Sequence, residues 1–187
     1  GMVLVTRTLD SVDPTIEAIG RGGKITGGHF DLIIADDIED KASVMTAGER
    51  KKTRTWFSAE LQPMLVRGGA MIVIGTKKHH DDLYAHLEDN PTFSLMKDPA
   101  ILNLDEVKFE LVYAQEGSKQ KLQGVQVTQG EPRCLWRERP FEHLIMTREA
   151  MREDEGVLLW NREFQHVVQD DSTAAVEIAQ LERAATR

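Results

Sequence analysis

Cysteine is all but absent. Cys134 stands alone among 187 residues, so no disulfide can form within the chain. A single thiol suits a reducing cytoplasm, and its plainest role is that of a small packing residue. Long apolar runs are missing as well. The longest fall far short of the roughly 20 residues that cross a bilayer, and no secretory segment opens the chain, so no membrane span or export signal is expected. The six histidines are scattered without zinc spacing. His79 and His80 are adjacent, and side chains one residue apart do not face each other on a helix; they read as an exposed or hydrogen-bonded pair, not as metal ligands. A long basic stripe is lacking too. The net charge of −8 is spread along the chain, with 11 basic against 14 acidic residues in 1–92 and 12 against 17 in 93–187. A self-sufficient DNA-binding domain would concentrate positive charge. The densest basic cluster, Arg50-Lys51-Lys52-Thr53-Arg54, reads as the solvated face of a helix. No internal repeat occurs, and the length fits one domain of ordinary size, or one with a small appendage.

What is present is concentrated in the first half. Asp31 to Asp40 reads DLIIADDIED, four apolar residues running into adjacent carboxylates. A strand covered on both faces shows such a run instead of an alternation, and ligands of parallel sheets sit beyond the carboxyl ends of the strands. Asp36 and Asp37 fall there. Two readings stand at this point: an acidic pair that caps or solvates a strand end, or one that serves a nucleotide and its metal. A second run, GAMIVIGT from Gly69 to Thr76, follows Gly68 and stops at a small residue and a hydroxyl. Between the runs lies a helix of the length needed for a right-handed crossover. Thr46 and Glu49 have capping-box spacing, Trp56, Phe57, Leu61 and Met64 or Leu65 give the apolar face, and Pro63 closes it. The expected geometry is that Leu32–Ala35 and Met71–Gly75 pair in parallel, with Asp36 and Thr76 at one edge. After Thr76, Asp81 or Asp82 can cap a short helix carrying Leu83 and Leu87, ended by Asn90-Pro91.

These segments resemble the large subunit of tailed-phage terminases, the DNA-packaging motor. ITGGHFDLIIADDIED (Ile25 to Asp40) is similar to the family's approach to its Walker B strand, and GGAMIVIGTKKHHDDLYAHL (Gly68 to Leu87) to its coupling motif. Asp98-Pro99-Ala100-Ile101, Leu135-Trp136-Arg137-Glu138-Arg139 and Trp160-Asn161-Arg162-Glu163-Phe164-Gln165 resemble three later signatures, in family order. The chain departs from the pattern in three ways. Asp37 stands where a glutamate is usual. Lys77-Lys78-His79-His80 replaces the common Arg-Trp-His-Glu. No G-x-x-x-x-G-K-[ST] phosphate loop is present: Gly20-Arg21-Gly22-Gly23-Lys24-Ile25 has the wrong glycine spacing and an isoleucine where the hydroxyl belongs, so it reads as a glycine-rich turn.

The resemblance implies an α/β fold: part of a P-loop NTPase-like parallel sheet with helices on both faces, spanning 2–128, then a mainly helical connector, 129–187, toward a nuclease domain. It implies that the phosphate loop precedes Met2 and the nuclease follows Arg187, and Gly1 reads as a remnant of tag removal. The function implied is an ATP-driven motor moving viral DNA into a procapsid, in the cytoplasm of a bacterial host. Double-stranded DNA, a portal, a small terminase subunit and further copies in a ring would be its partners. Asp36 would hold Mg²⁺ through water, Asp37 would orient the attacking water, with Glu39 the next acid for that role, and Thr76 would meet the γ-phosphate of ATP. Lys77, His79 and Asp82 would serve coupling. Two other functions stay open: a non-catalytic α/β module, such as a decayed prophage product, and a metal-dependent nuclease on Asp36 and Asp37.

The second half carries less. Lys108 to Ala114 and Gly124 to Thr128 read as strands, with EGSKQKLQ between them as a polar turn or longer loop. Gly130-Glu131-Pro132 breaks the chain. Phe141–Glu153 and Gly156–Val168 have helical spacing. Asp170-Asp171-Ser172-Thr173 reads as the cap of an amphipathic C-terminal helix and not as a metal site.

Overall fold

The computed structural model describes residues 2–3, 15–23, 27–152 and 156–168. The chain divides into two compact units, Gly1–Asn90 and Pro91–Arg187. The C-terminal segment expected to form a capped helix, 170–187, and residues Lys24 and Ile25 lie outside the described residues.

In the first unit, β1 (Met2–Val3) pairs antiparallel with β2 (Ile16–Glu17). Gly20–Gly23 is a turn closed by Gly23 N donating to Gly20 O at 2.9 Å, with Gly22 at φ +77°. β3 (Phe30–Asp36) and β4 (Leu65–Ile74) run parallel, with Ile33 opposite Met71, Ile34 opposite Ile72 and Asp36 opposite Ile74. The expected pairing is therefore present, but β4 begins earlier than the apolar run and ends at Ile74, so Gly75 and Thr76 lie past it. The early start is hidden in sequence by Gly68-Gly69, where the register shifts. Gly68 takes φ +85°, and a Cβ on Gly69 would come within 2.9 Å of the Asp31 carbonyl oxygen.

Between the strands come α1 (Lys41–Val44) and α2 (Ala47–Trp56), the latter continuing through a wide π turn at Phe57–Leu61 and a 3-10 turn at Gln62–Met64 that contains Pro63. Thr46 caps α2 by accepting from Glu49 N at 3.2 Å. The reciprocal capping box belongs to α1: Asp40 accepts from Ser43 N at 2.7 Å while Asp40 N donates to Ser43 Oγ at 2.9 Å. Phe57, Leu61 and Met64 are buried, as the helical spacing requires. α3 (Leu83–Glu88) closes the unit.

The expectation of helices on both faces of the sheet is corrected in one respect. Ile33 and Ala35 are buried, but Leu32, Ile34, Ile72 and Ile74 keep 51, 57, 46 and 50% of their surface exposed. Among the described residues the parallel sheet has two strands and one bare apolar face. Its run-like composition suits a strand buried on both sides, whereas here only one side is covered.

The second unit is built on β5 (Lys108–Glu116) and β6 (Lys119–Gln129), an antiparallel hairpin. The segment expected as a polar loop is strand almost throughout. Only Gly117-Ser118 turns the chain, and Gly117, at φ +65°, supplies the positive φ that a tight two-residue turn needs. α4 (Phe141–Ala150) and α5 (Gly156–Gln165) complete the unit. Its core is Ala100, Ile101, Val107, Phe141, Leu144, Ile145 and Trp160, with Phe109, Leu111, Val125, Val127 and Phe164 packed against it. Phe109 meets Phe141 edge-on, ring centres 5.4 Å apart. The hairpin and α4 thus share one core, and packing does not divide the chain near residue 129. Among the described residues no helix is long and apolar enough to cross a membrane.

Ile145 is fully buried in this core. Truncation to alanine removes its transfer energy and leaves a cavity, so Ile145→Ala should cost about 2–5 kcal/mol, read as a lowered urea midpoint with unchanged slope. A cost within about 0.5 kcal/mol, the range of surface substitutions, would show that the second unit does not rest on this cluster.

Candidate functional site

Parallel pairing brings the carboxyl ends of β3 and β4 to one edge. Asp36 ends β3 with an exposed side chain. Asp37 follows with φ +45°, in the left-handed region that few residues besides glycine, asparagine and aspartate enter readily. Its amide extends the ladder by donating to Ile74 O at 2.9 Å. Its carboxylate oxygen Oδ1 accepts from Lys78 Nζ at 3.3 Å. Lys78 also reaches Thr76 O at 3.4 Å, and its side chain is 13% exposed against 71% for Asp37. Lys78 therefore carries a largely sheltered positive charge between the two strand ends.

The strand ends are tied to α3 by Tyr84, which donates to Ile74 O, and by the Leu83 amide, which donates to Glu39. Asp82 is the N-cap of α3, accepting from Ala85 N at 2.8 Å. The other oxygen of the same carboxylate accepts from Lys78 N at 2.7 Å and His79 N at 3.0 Å, and the residue is fully buried. Of the two residues expected to cap this helix, Asp82 does so. Its place inside the fold makes it an organiser of the 78–85 segment and not a group that faces a ligand. Lys77 pairs with Glu88 on the last turn of α3. Gly75 has no room for a side chain, since a Cβ would fall 2.1 Å from Tyr84 Oη. Burial pushes the Tyr84 hydroxyl up to about 12, and that hydroxyl donates to Ile74 O at 3.3 Å.

Two groups were not legible as parts of this arrangement. Glu39 is the first. Offered by the sequence as a reserve for activating water, it turns inward instead: it is fully buried, and Oε2 accepts from Leu83 N at 3.0 Å while Oε1 has no partner. Burial first, and then the negative charge of Asp82, push its carboxyl up to about 7. Asp81 is the second. It accepts from Arg50 Nε at 3.1 Å and Arg54 Nη1 at 3.3 Å, and lies 2.9 Å from His86 Nε2. The His86 and Arg50 hydrogen bonds hold its carboxyl well below the usual carboxylate range. Two members of the basic cluster on α2 are thus engaged, not solvated; Arg50 also donates to Val44 O at 2.8 Å. The signal was their spacing of four, which puts both on one helix face. Asp81 N donates to His79 Nδ1 at 2.9 Å, and the His79 and His80 rings lie 4.0 Å apart.

Asp36, Asp37 and Thr76 thus share the strand-end edge with Lys78, whereas Lys77, His79 and Asp82 form the link from β4 to α3. Among the described residues no three His, Cys, Asp or Glu side chains converge as a metal cage. Asp36 and Asp37 offer hard oxygen donors of the kind Mg²⁺ takes one or two at a time, with water and phosphate oxygens completing its shell.

The class of protein to which part of this sequence is similar is the large terminase subunit. Over 91 residues the chain is 35% identical to the "Terminase, large subunit" of Enterobacteria phage T3. The matched stretch is 47% of this chain and 15% of that protein's length, and it supports a terminase-like relation. No family model matches the sequence.

The Glu39 carboxyl makes a pH prediction. Its folded value, about 7, lies above its ordinary 4.5, so between these the folded state keeps a proton that the unfolded state releases. The stability is fully present below pH 4.5 and is lost as pH rises through about 7. The loss should be on the order of 3 kcal/mol and should vanish in Glu39→Gln, measured as the unfolding midpoint of the first unit against pH. An identical slope in the variant would assign the proton elsewhere.

Proposed function

We propose that the chain is part of a DNA-packaging motor of the terminase large-subunit type, with the carboxyl edge of β3 and β4 as part of its ATP site. The observation that supports this reading is the parallel register in which Asp36 lies opposite Ile74, with Asp37 and Thr76 following in the chain just past the two strand ends. The 35% identity to the phage T3 protein points the same way. The bare face of the sheet adds support. Two-stranded sheets with a single covered face are marginal alone, and Leu32, Ile34, Ile72 and Ile74 suit a sheet continued and covered within a larger protein.

In this reading Asp36 holds Mg²⁺ through water, and the metal neutralises phosphate charge when bound. Asp37 orients the attacking water and accepts its proton. Thr76 donates its hydroxyl to the terminal phosphate, and Lys78 balances charge beside it. The motor's partners are double-stranded DNA, a portal, a small terminase subunit and further copies of itself in a ring. Lys77, His79 and Asp82 transmit changes at the strand ends into α3.

The sequence holds no G-x-x-x-x-G-K-[ST] loop to cradle the β- and γ-phosphates, and two carboxylates alone repel them. The purified chain should therefore show no Mg²⁺-dependent ATP hydrolysis; turnover abolished by Asp36→Ala would mean that the phosphates bind within this chain. In a longer protein that carries the chain together with a phosphate loop, Asp37→Asn should lower single-turnover hydrolysis by roughly 100-fold or more with ATP affinity retained. Asp36→Asn should weaken Mg²⁺-ATP binding instead, and Thr76→Val should uncouple hydrolysis from DNA movement. Parental hydrolysis and binding in all three variants would leave the non-catalytic α/β module as the function of this chain.

A further inference from the structure

The second unit carries a segment that gives Cys134 to the core but leaves Trp136, Arg137, Glu138 and Arg139 exposed. Arg133 to Arg139 reads RCLWRER, three arginines and one glutamate in a chain of net charge −8. Its backbone is fixed at the near end. Buried Asn103 accepts from Arg133 N at 2.8 Å through Oδ1 and donates to Glu131 O at 3.0 Å. Leu102 N donates to Arg133 O at 2.8 Å, Leu135 N donates to Ala100 O at 2.9 Å, and Arg139 N donates to Trp136 O at 3.3 Å. The segment is thus held as a defined turn on the core that begins at Ala100.

What this turn presents is unusual in kind. Trp136 keeps 40% of its surface exposed, whereas Trp160 is fully buried. The Arg139 guanidinium lies over the Trp136 ring, 5.4 Å from its centre. Arg133 has an acid partner, Glu106 at 3.8 Å. Neither Arg137 nor Arg139 has a carboxylate within ion-pair distance among the described residues, and Glu138 between them pairs with neither. An exposed indole braced by a guanidinium is a platform for a flat, electron-rich ring, and the two unpaired guanidiniums suit phosphate oxygens. A nucleobase with its phosphates has both features; an acidic peptide offers the charge without the ring.

We propose that the Arg133–Arg139 turn binds single-stranded nucleic acid, stacking an unpaired base on the Trp136–Arg139 pair and placing its phosphates on Arg137 and Arg139. This goes beyond the ATP-site reading and does not depend on it, because the turn lies in the other compact unit.

The test is binding of a fluorescently labelled oligo-dT strand to the full chain at low salt, beside a duplex of equal length and poly-glutamate. Oligo-dT should bind and quench the exposed tryptophan. Trp136→Ala should weaken binding by roughly 5- to 100-fold and Trp136→Phe should restore most of it, as stacking predicts. The paired change Arg137→Gln with Arg139→Gln should flatten the dependence of log K on log salt by about 1.4, two phosphate contacts on a single strand. Far-UV circular dichroism checks that each variant is folded. Absence of oligo-dT binding overturns the proposal. So does binding that Trp136→Ala leaves unchanged, which would be non-specific attraction. Poly-glutamate bound as tightly, with the same dependence on Trp136, also overturns it and makes the turn a protein-binding surface. ATP hydrolysis enters none of these outcomes, so failure here leaves the motor reading untouched, and failure of that reading leaves this one.

Discussion

One buried carboxylate organises the strand-end region. Asp82 accepts from the amides of Lys78, His79 and Ala85, so a single side chain both starts α3 and closes the loop that leaves β4. Three amide bonds to one carboxylate are what makes its complete burial tolerable, since a buried charged or polar group without partners would cost several kcal/mol. The position of Lys78, and through it the cation beside Asp37, follows from that loop. Glu39 adds a second tie: it reaches from beyond β3 to the Leu83 amide, so the exits of both strands are fastened to the same helix start. Both carboxyls suit the positive end of the helix dipole, but burial, and after it the opposing charge of Asp82, lets Glu39 keep its proton up to about 7.

A second set of ties runs through Asp81. Arg50 and Arg54 come from α2, on the crossover between the strands, and meet Asp81 just ahead of α3. The crossover helix is therefore linked to the loop after β4 by ion pairs in which Arg50 is mostly sheltered, and sheltered pairs are screened less by salt than exposed ones. The segment that leaves β4 is thus tied to α3 through Asp82 and to α2 through Asp81. Both lie within the first unit. The second unit is organised on different principles, by an apolar core and by Asn103, which pins the turn after β6.

How much of this was legible depended on sequence distance. The parallel pairing of β3 and β4 could be read because apolar runs, a crossover of suitable length and strand-end acids are local patterns. The Asp82 cap was local too. The Glu39 contact and the Asp81 pairs with Arg50 and Arg54 were not, because those partners lie 27 to 44 residues away and nothing in their neighbours announces the contact. The hairpin was obscured for another reason. Its distal strands carry Gln, Lys and Glu, with both faces largely solvated beyond the core, so the alternation that marks a half-buried strand fades toward Gly117-Ser118. The open face of the sheet was misjudged because composition records what a strand is suited to, and exposure records what covers it.

The conformation of Asp37 gives a physical account of a departure from the family pattern. The resemblance leads one to expect glutamate at this position, yet the backbone here has φ +45°. Aspartate enters the left-handed region more readily than glutamate, because its short side chain can bond locally. The amide of Asp37 stays in the ladder with Ile74, and its carboxylate stays beside Lys78, so the left-handed turn redirects the chain without losing either contact. A glutamate would carry its carboxylate farther and meet a higher backbone cost at the same angle. Asparagine meets no such cost, so replacing Asp37 by Asn removes a charge while leaving the turn intact, whereas replacing it by Glu tests the turn itself. The short acid and the bent backbone therefore fit each other: the residue that takes the left-handed turn is also the one whose carboxylate lies beside Lys78.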